Sequence, residues 1–251
     1  MKEQQKRKRF LLLDTIRGFL VIEMIVYHLL FDLYYMFNAD IPWFTGTGMR
    51  LFQLSILTGF VVLSGFCFPM GKRKIFRAVQ VFVCGLVITL VTFLVMPSQK
   101  ILFGVLTCLG ICMLLMTALE KPLSKLPAVI GFLLFAILGV LTYGVRSGYI
   151  GLYTYPLLEL PDAWYTTSFL FPLGLKNATF RSSDYVPLLP WFFVFVSGFY
   201  LHKIIYKSER AMRVLPCGIK PFAVIGRYSL WIYMAHQPII YSVLWLIFKL
   251  K

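Results

Sequence analysis

Seven apolar stretches, each close to the length that crosses a bilayer, dominate the sequence: roughly 10–37, 48–70, 75–96, 101–119, 127–145, 187–206 and 222–248. A spanning helix needs about 20 such residues, and in lipid only helices and closed barrels satisfy every backbone N–H and C=O. These runs lack the period-two alternation of barrel strands. They predict an all-α fold, a polytopic membrane helix bundle of about seven transmembrane helices. With 59% hydrophobic and only 14% charged residues, the chain of 251 residues is too apolar for a soluble domain.

The formal net charge of +15 raises the question of nucleic acid. A nucleic-acid partner would require a solvated basic face, whereas these Lys and Arg residues sit in short clusters between apolar runs, so none is expected. Alternate clusters hold most of them: 2–9, 72–77, 121–125 and 203–227. By the positive-inside rule these segments are cytoplasmic, which places the N-terminus inside and, with an odd number of spans, the C-terminus outside. The run "MKEQQKRKRF" resembles the start of a signal peptide, but the apolar stretch after it is too long, carries charges and lacks a small-residue cleavage site. It is expected to remain as the first membrane helix. Cys67, Cys84, Cys108, Cys112 and Cys217 show no paired spacing for a disulfide framework or a zinc site, so they are read as reduced packing residues, and no metal is expected.

The chain reads as a single integral-membrane domain, 1–251, containing one long non-spanning segment, 146–186. Gly148, Gly151, Pro156, Pro161 and Pro172 interrupt any helix there, and the aromatic richness of "GYIGLYTYPLLELPDAWYTTSFLF" favours an ordered cap at the outer membrane surface. The sequon Asn177-Ala178-Thr179 falls in this segment and matters only in a glycosylating host.

The first span carries Asp14, Arg17, Glu23, His28 and Asp32. An ionised group near the bilayer centre costs at least a few kcal/mol, so five ionisable residues in one span need a reason. At about 100° per residue, Arg17 and His28 differ by about 20° around the axis and lie about 16 Å apart along it. Asp14 and Asp32 fall within about 60° of both. The four form one polar stripe, Gly18 adjoins it, and Glu23 points the opposite way and is assigned no chemistry. Such a stripe serves as an ion or substrate path, as a binding site for a lipid head group, or as a catalytic channel; periodicity alone does not choose among them.

Several segments, in order along nearly the whole chain, resemble the heparan-alpha-glucosaminide N-acetyltransferase catalytic-domain family, whose many bacterial members are integral membrane proteins. They are "LDTIRGFLVIEMIVYHLLFDL", "LSGF" at 63–66, "ITLVTFLVMPSQKILFGVLTCLGICMLL" at 88–115, "SSDYVPLLPWFFVFVSGF" at 182–199 and "GRYSLWIYMAHQPIIY" at 226–241. An Arg followed eleven positions later by a His, as in Arg17 and His28, is also the signature of the wider group of membrane acyltransferases that acetylate envelope polysaccharides. The resemblance implies a bacterial plasma-membrane enzyme that moves an acyl group, usually acetyl, from acetyl-CoA or another acyl-CoA in the cytoplasm to an amine or hydroxyl of an extracytoplasmic sugar or glycan. The expected partners are acyl-CoA, the glycan acceptor and membrane lipids, with homo-oligomerisation left open. Where the family's "FGILH" segment has a His in many members, this chain has Thr107, which places more weight on His28.

On that reading His28 is the candidate base, since a neutral imidazole suits proton removal from an attacking amine or hydroxyl. Asp32, one turn further along the stripe, would orient it. Asp14 and Arg17 would position the donor, the guanidinium meeting phosphate or a pantetheine carbonyl. Asp184 and Tyr185, just outside the sixth span, are expected in the acceptor site, with helix capping as the competing role for Asp184. His236 and Gln237 lie in the last span at a depth similar to His28, with His236 as a substrate or donor contact or partner of His28. The principal alternative is a non-enzymatic transporter or lipid-binding protein. A transporter built of repeats should show matched halves. Arg227 and His236 only faintly echo Arg17 and His28, because on one continuous helix they would lie about 180° apart.

Overall fold

A computed structural model describes residues 10–152 and 155–250. Lys2, Lys6, Arg7, Lys8, Arg9 and Lys251, which contribute to the topology assignment, lie outside the described residues. The chain is mostly helical: α1 (Leu11–Tyr35), α2 (Thr47–Cys67), α3 (Lys74–Val95), α4 (Val105–Leu123), α5 (Ala128–Leu141), α6 (Leu188–Tyr206), α7 (Glu209–Val214), α8 (Lys220–Arg227) and α9 (Ser229–Lys249). Its only described strands are β1 (Tyr149–Leu152) and β2 (Tyr155–Glu159). Among the described residues six helices are long and apolar enough to cross a membrane, namely α2 to α6 and α9 with short extensions. The protein is an integral membrane helix bundle. The first helix, α1, has 25 residues, about 37 Å at 1.5 Å per residue, and is set apart from those six by its charges.

The chain divides into two compact units, one running to Phe60 and resuming at Ile205, the other formed by Val61–Ile204. In the first, α1 packs against α8 and α9. The α1–α8 crossing is set by two glycines. A Cβ on Gly18 would stand 1.9 Å from the Phe222 carbonyl oxygen, and one on Gly226 would stand 1.9 Å from that of Asp14. Each helix therefore places backbone where the other's side chain would be, the close approach that small residues permit in membranes. Beyond this crossing, Val21, Met24 and Ile56 form a buried cluster with Phe52, Ile225, Ile232 and Tyr233 against it. At its far end α1 stops where Asn38 turns left-handed, at φ 50°, while the Met36 and Phe37 N–H groups both return to the Asp32 carbonyl.

The second unit repeats the device. A Cβ on Gly65 would meet the Phe195 carbonyl oxygen at 1.9 Å, and one on Gly198 that of Val62 at 2.2 Å. Phe195, Phe199, Tyr200, Met116, Cys108 and Cys112 are fully buried in this unit. The Tyr200 hydroxyl donates to the Leu123 carbonyl at 2.7 Å, and Lys74 Nζ donates to Glu120 Oε1 at 2.6 Å. Cys108 Sγ and Cys112 Sγ lie 3.9 Å apart as free thiols.

The described residues of segment 146–186 contain structure that its glycines and prolines obscure. β1 and β2 pair antiparallel, Tyr149 opposite Glu159 and Ile150 opposite Leu158, with an irregularity between Ile150 and Gly151. Short 3-10 turns follow at Asp162–Tyr165 and Phe171–Leu173. The stretch before α6 is laced to the α3–α4 connection: Leu102 N donates to Ser182 Oγ at 2.9 Å, Ser183 N to the Lys100 carbonyl at 3.1 Å, and Val186 N to the Phe103 carbonyl at 3.0 Å.

One expected span differs in kind. The stretch 222–248 is two helices, with α8 ending at Arg227 and α9 starting at Ser229. Tyr228 between them holds φ −97° and ψ 12°, outside helical geometry. The 180° separation of Arg227 and His236 requires one continuous helix and does not hold.

Candidate functional site

The polar stripe of α1 meets α9 at its far end. The His28 and His236 rings lie edge to face with centroids 4.8 Å apart. One turn beyond His28, Asp32 is completely buried, and its Oδ1 accepts from Gln237 Nε2 at 2.7 Å. An amide and a carboxylate buried together satisfy one hydrogen bond and leave others open. Asp32 Oδ2, Gln237 Oε1 and His236 Nε2 are all buried without a protein partner. His236 Nδ1 lies 2.6 Å from the Tyr233 carbonyl, which can only accept, so Nδ1 carries the hydrogen and Nε2 presents a bare lone pair. A buried polar atom left unpartnered costs about 1–3 kcal/mol, so three on two facing helices are expensive to keep unless something else bonds to them. Tyr27 and Phe31 flank His28, at ring separations of 5.5 and 6.4 Å.

The other end of the stripe is an ion-pair group. Arg17 NH1 donates to Asp14 Oδ1 at 3.0 Å, and Arg227 Nε lies 3.9 Å from Asp14 Oδ2. Two guanidinium groups thus share one carboxylate. Sequence reasoning reads Arg227 as a topology signal at the start of the last span and misses it as a site residue. The signal that could have found it is the short segment "KPFAVIGR", whose apolar run between Lys220 and Arg227 is too brief to cross a membrane and instead makes an amphipathic helix beside α1. Tyr233, which fixes the His236 tautomer through its carbonyl, carries no sequence signal.

Of the eight predicted site residues, six belong to this first unit: Asp14, Arg17, His28, Asp32, His236 and Gln237. Asp184 and Tyr185 belong to the second. Asp184 Oδ2 accepts from Val105 N at 3.5 Å, at the start of α4. A carboxylate there answers unpaired N–H groups and the helix dipole, so the helix it caps is α4 and not the α6 that follows it. Burial pushes the Asp184 carboxyl up to about 6, the Val105 N–H opposing this in part. The Tyr185 hydroxyl donates to the Phe171 carbonyl, and burial raises its pKa. Thr107 is buried in α4, its Oγ1 without a partner, and a Cβ on Gly85 would meet that oxygen at 2.5 Å. The α3–α4 approach leaves little room for the larger His side chain at this position.

Six helices long and apolar enough to cross a membrane, with ionisable residues buried where α1 meets α9, define a polytopic membrane protein with a polar interior site. The model of the family described as heparan-alpha-glucosaminide N-acetyltransferase, catalytic, matches residues 9–238. The chain belongs to this family, and membership implies a transmembrane acetyltransferase. No curated protein and no solved structure matches it.

Proposed function

We propose that the protein takes acetyl from acetyl-CoA in the cytoplasm and transfers it to an amine or hydroxyl of an extracytoplasmic sugar or envelope glycan. The observation that carries this reading is the group His28, Asp32, His236 and Gln237, in which Asp32 and His236 are buried and the buried, unpartnered Asp32 Oδ2, His236 Nε2 and Gln237 Oε1 suit a polar reactant better than packing. α1 spans the membrane, the N-terminus is cytoplasmic and the C-terminus lies outside.

In the reaction a neutral imidazole removes the proton from the acceptor N–H or O–H as its lone pair attacks the thioester carbonyl. The carbon–sulfur bond breaks, the acyl–nitrogen or acyl–oxygen bond forms, and CoA leaves as a thiolate that takes up a proton. His28 is the base, and Asp32 is the carboxylate that stabilises the charged imidazole, held in place by Gln237. His236 Nε2, a fixed acceptor, receives a hydrogen bond from the acceptor substrate. Arg17 and Arg227, tied by Asp14, position the anionic donor.

Binding of acetyl-CoA to purified protein in detergent, followed by thermal shift, tests the donor assignment. Saturable stabilisation that is weakened in Arg17→Ala and retained in a folded His28→Ala supports it. A folded wild-type protein that responds to no acyl-CoA overturns it and returns the stripe to transport or lipid binding.

A further inference from the structure

The second unit contains a cleft that the acetyl-transfer reading does not use. Its volume is about 170 Å³, and Lys100, Arg181, Ser168, Asn177 and Thr179 line it. No carboxylate is among the described residues that line it. Two further walls are Leu102 and the stacked pair Phe171 and Phe180, with ring centroids 5.0 Å apart at 26°.

Three properties bear on what the cleft holds. The first is charge. Arg181 and Lys100 line it, and Lys176 lies close enough to Arg146 and Arg181 that, after burial, their repulsion lowers its pKa. Crowded cations with no lining carboxylate call for an anion.

The second is preorganisation. Asn177 Nδ2 donates to Ser168 Oγ at 3.0 Å, Thr179 Oγ1 donates to Asn177 Oδ1 at 3.1 Å, and Arg181 NH1 donates to the Ala178 carbonyl at 2.8 Å. The polar wall is thereby fixed before any ligand arrives. Asn177, the sequon residue, is half-buried and committed to this wall.

The third is depth. Lys100 and Leu102 lie in the connection between α3, which ends at Val95, and α4, which begins at Val105. Both helices are apolar enough to span, so this connection marks a membrane boundary. Phe169, next in sequence to the lining Ser168, is 88% exposed, and Tyr155 and Leu157 on β2 are 74% and 68% exposed. An aromatic side chain left bare next to a lining residue of a cationic cleft at that level, in a segment whose strand β2 is likewise bare, matches the interfacial zone of a bilayer.

From this geometry we infer that the cleft binds the phosphate of an anionic membrane lipid, between Lys100 and Arg181, with the head group's hydroxyls against Asn177 and Thr179. The acyl chains leave along Phe169 into the bilayer. This site is separate from the acetyl-transfer reading and stands or falls without it.

The test is thermal unfolding of the full chain in zwitterionic detergent, titrated with dioleoylphosphatidylglycerol, with dioleoylphosphatidylcholine, or with inorganic phosphate. Phosphatidylglycerol should raise the unfolding midpoint saturably by several degrees and phosphatidylcholine should not. Lys100→Gln with Arg181→Gln should weaken half-saturation at least about tenfold, since each removes a charge-assisted contact. Arg181 also anchors its own backbone, so Lys100→Gln is measured alone; it should fold as wild type and still weaken half-saturation about threefold or more. Lys72→Gln, an exposed charge in the α2–α3 connection, should change nothing. Equal responses to the two lipids, an undiminished response in Lys100→Gln, or full reproduction of the effect by inorganic phosphate would each overturn the inference.

Discussion

Replacing Gly18 with Ala should separate α1 from α8. The added Cβ would stand 1.9 Å from the Phe222 carbonyl oxygen. Ordinary carbon–oxygen contact is about 3.3 Å or more, so the helices must part by more than an ångström. Overpacking of this kind costs about 1–3 kcal/mol, against which Ala in place of Gly in a helix returns up to about 1 kcal/mol. Because the clash is with backbone rather than a flexible side chain, the cost falls in the upper part of that range, about 2–3 kcal/mol, and the net loss is about 1–2 kcal/mol. For a chain of this size each kcal/mol moves the midpoint by about 2–4 °C, so the expected fall is about 2–8 °C. Gly226→Ala forces the same separation through the Asp14 carbonyl, and the double variant should lose less than the sum of the two. Gly48→Ala is the control: a Cβ there meets nothing within 4 Å, so its midpoint should hold or rise. The assay is intrinsic tryptophan fluorescence on heating in detergent. Gly18→Ala unfolding within about 1 °C of wild type, well inside the scale that 1 kcal/mol sets, would refute the proposed crossing.

Gln237→Leu leaves the Asp32 carboxylate with no amide partner and should destabilise by about 1–3 kcal/mol, read as a lower unfolding midpoint. Asp32→Asn can still accept from Gln237, so it should fold near wild type while losing turnover, a separation that a purely structural carboxylate would not give. Asp184 has a native pKa of about 6, above its ordinary value of 3.8. The folded state therefore holds the proton more tightly, so stability should fall as pH rises from about 4 to about 6 and level off above; Asp184→Asn should flatten that dependence in pH-resolved thermal melts. If α1 spans, the termini lie on opposite sides of the membrane, and reporter fusions before Met1 and after Lys251 should report opposite compartments; the same compartment would leave only the six apolar helices spanning.

The helices that face lipid are legible because length and apolarity alone place them: α2 to α6 fall within a few residues of their apolar windows. What the windows could not show is where an apolar run breaks for tertiary reasons. Hydropathy is nearly continuous from Phe222 to Trp245, yet the chain turns at Tyr228 so that α8 can seat Gly226 against α1. The β1–β2 hairpin escaped because Gly151 and Pro156 break strand alternation at the paired positions themselves. On α1, helical period alone aligned Asp14, Arg17, His28 and Asp32. It carried no information about what faces them, and Gln237 beside Asp32, His236 beside His28 and Arg227 beside Asp14 are contacts between residues some two hundred positions apart. Asp184 shows the converse. Its local sequence suggested a cap for the helix that follows, whereas the fold directs it to α4, 79 positions earlier.

The most direct measurement of the proposed chemistry is transfer of radiolabelled acetyl from acetyl-CoA to an amino sugar or envelope glycan by the purified protein in nanodiscs, comparing wild type with His28→Ala of confirmed fold. Time-dependent label in the acceptor with wild type, reduced at least about a hundredfold in His28→Ala, is the predicted result. Transfer that persists in His28→Ala at the wild-type rate would contradict the assignment of His28 as the base.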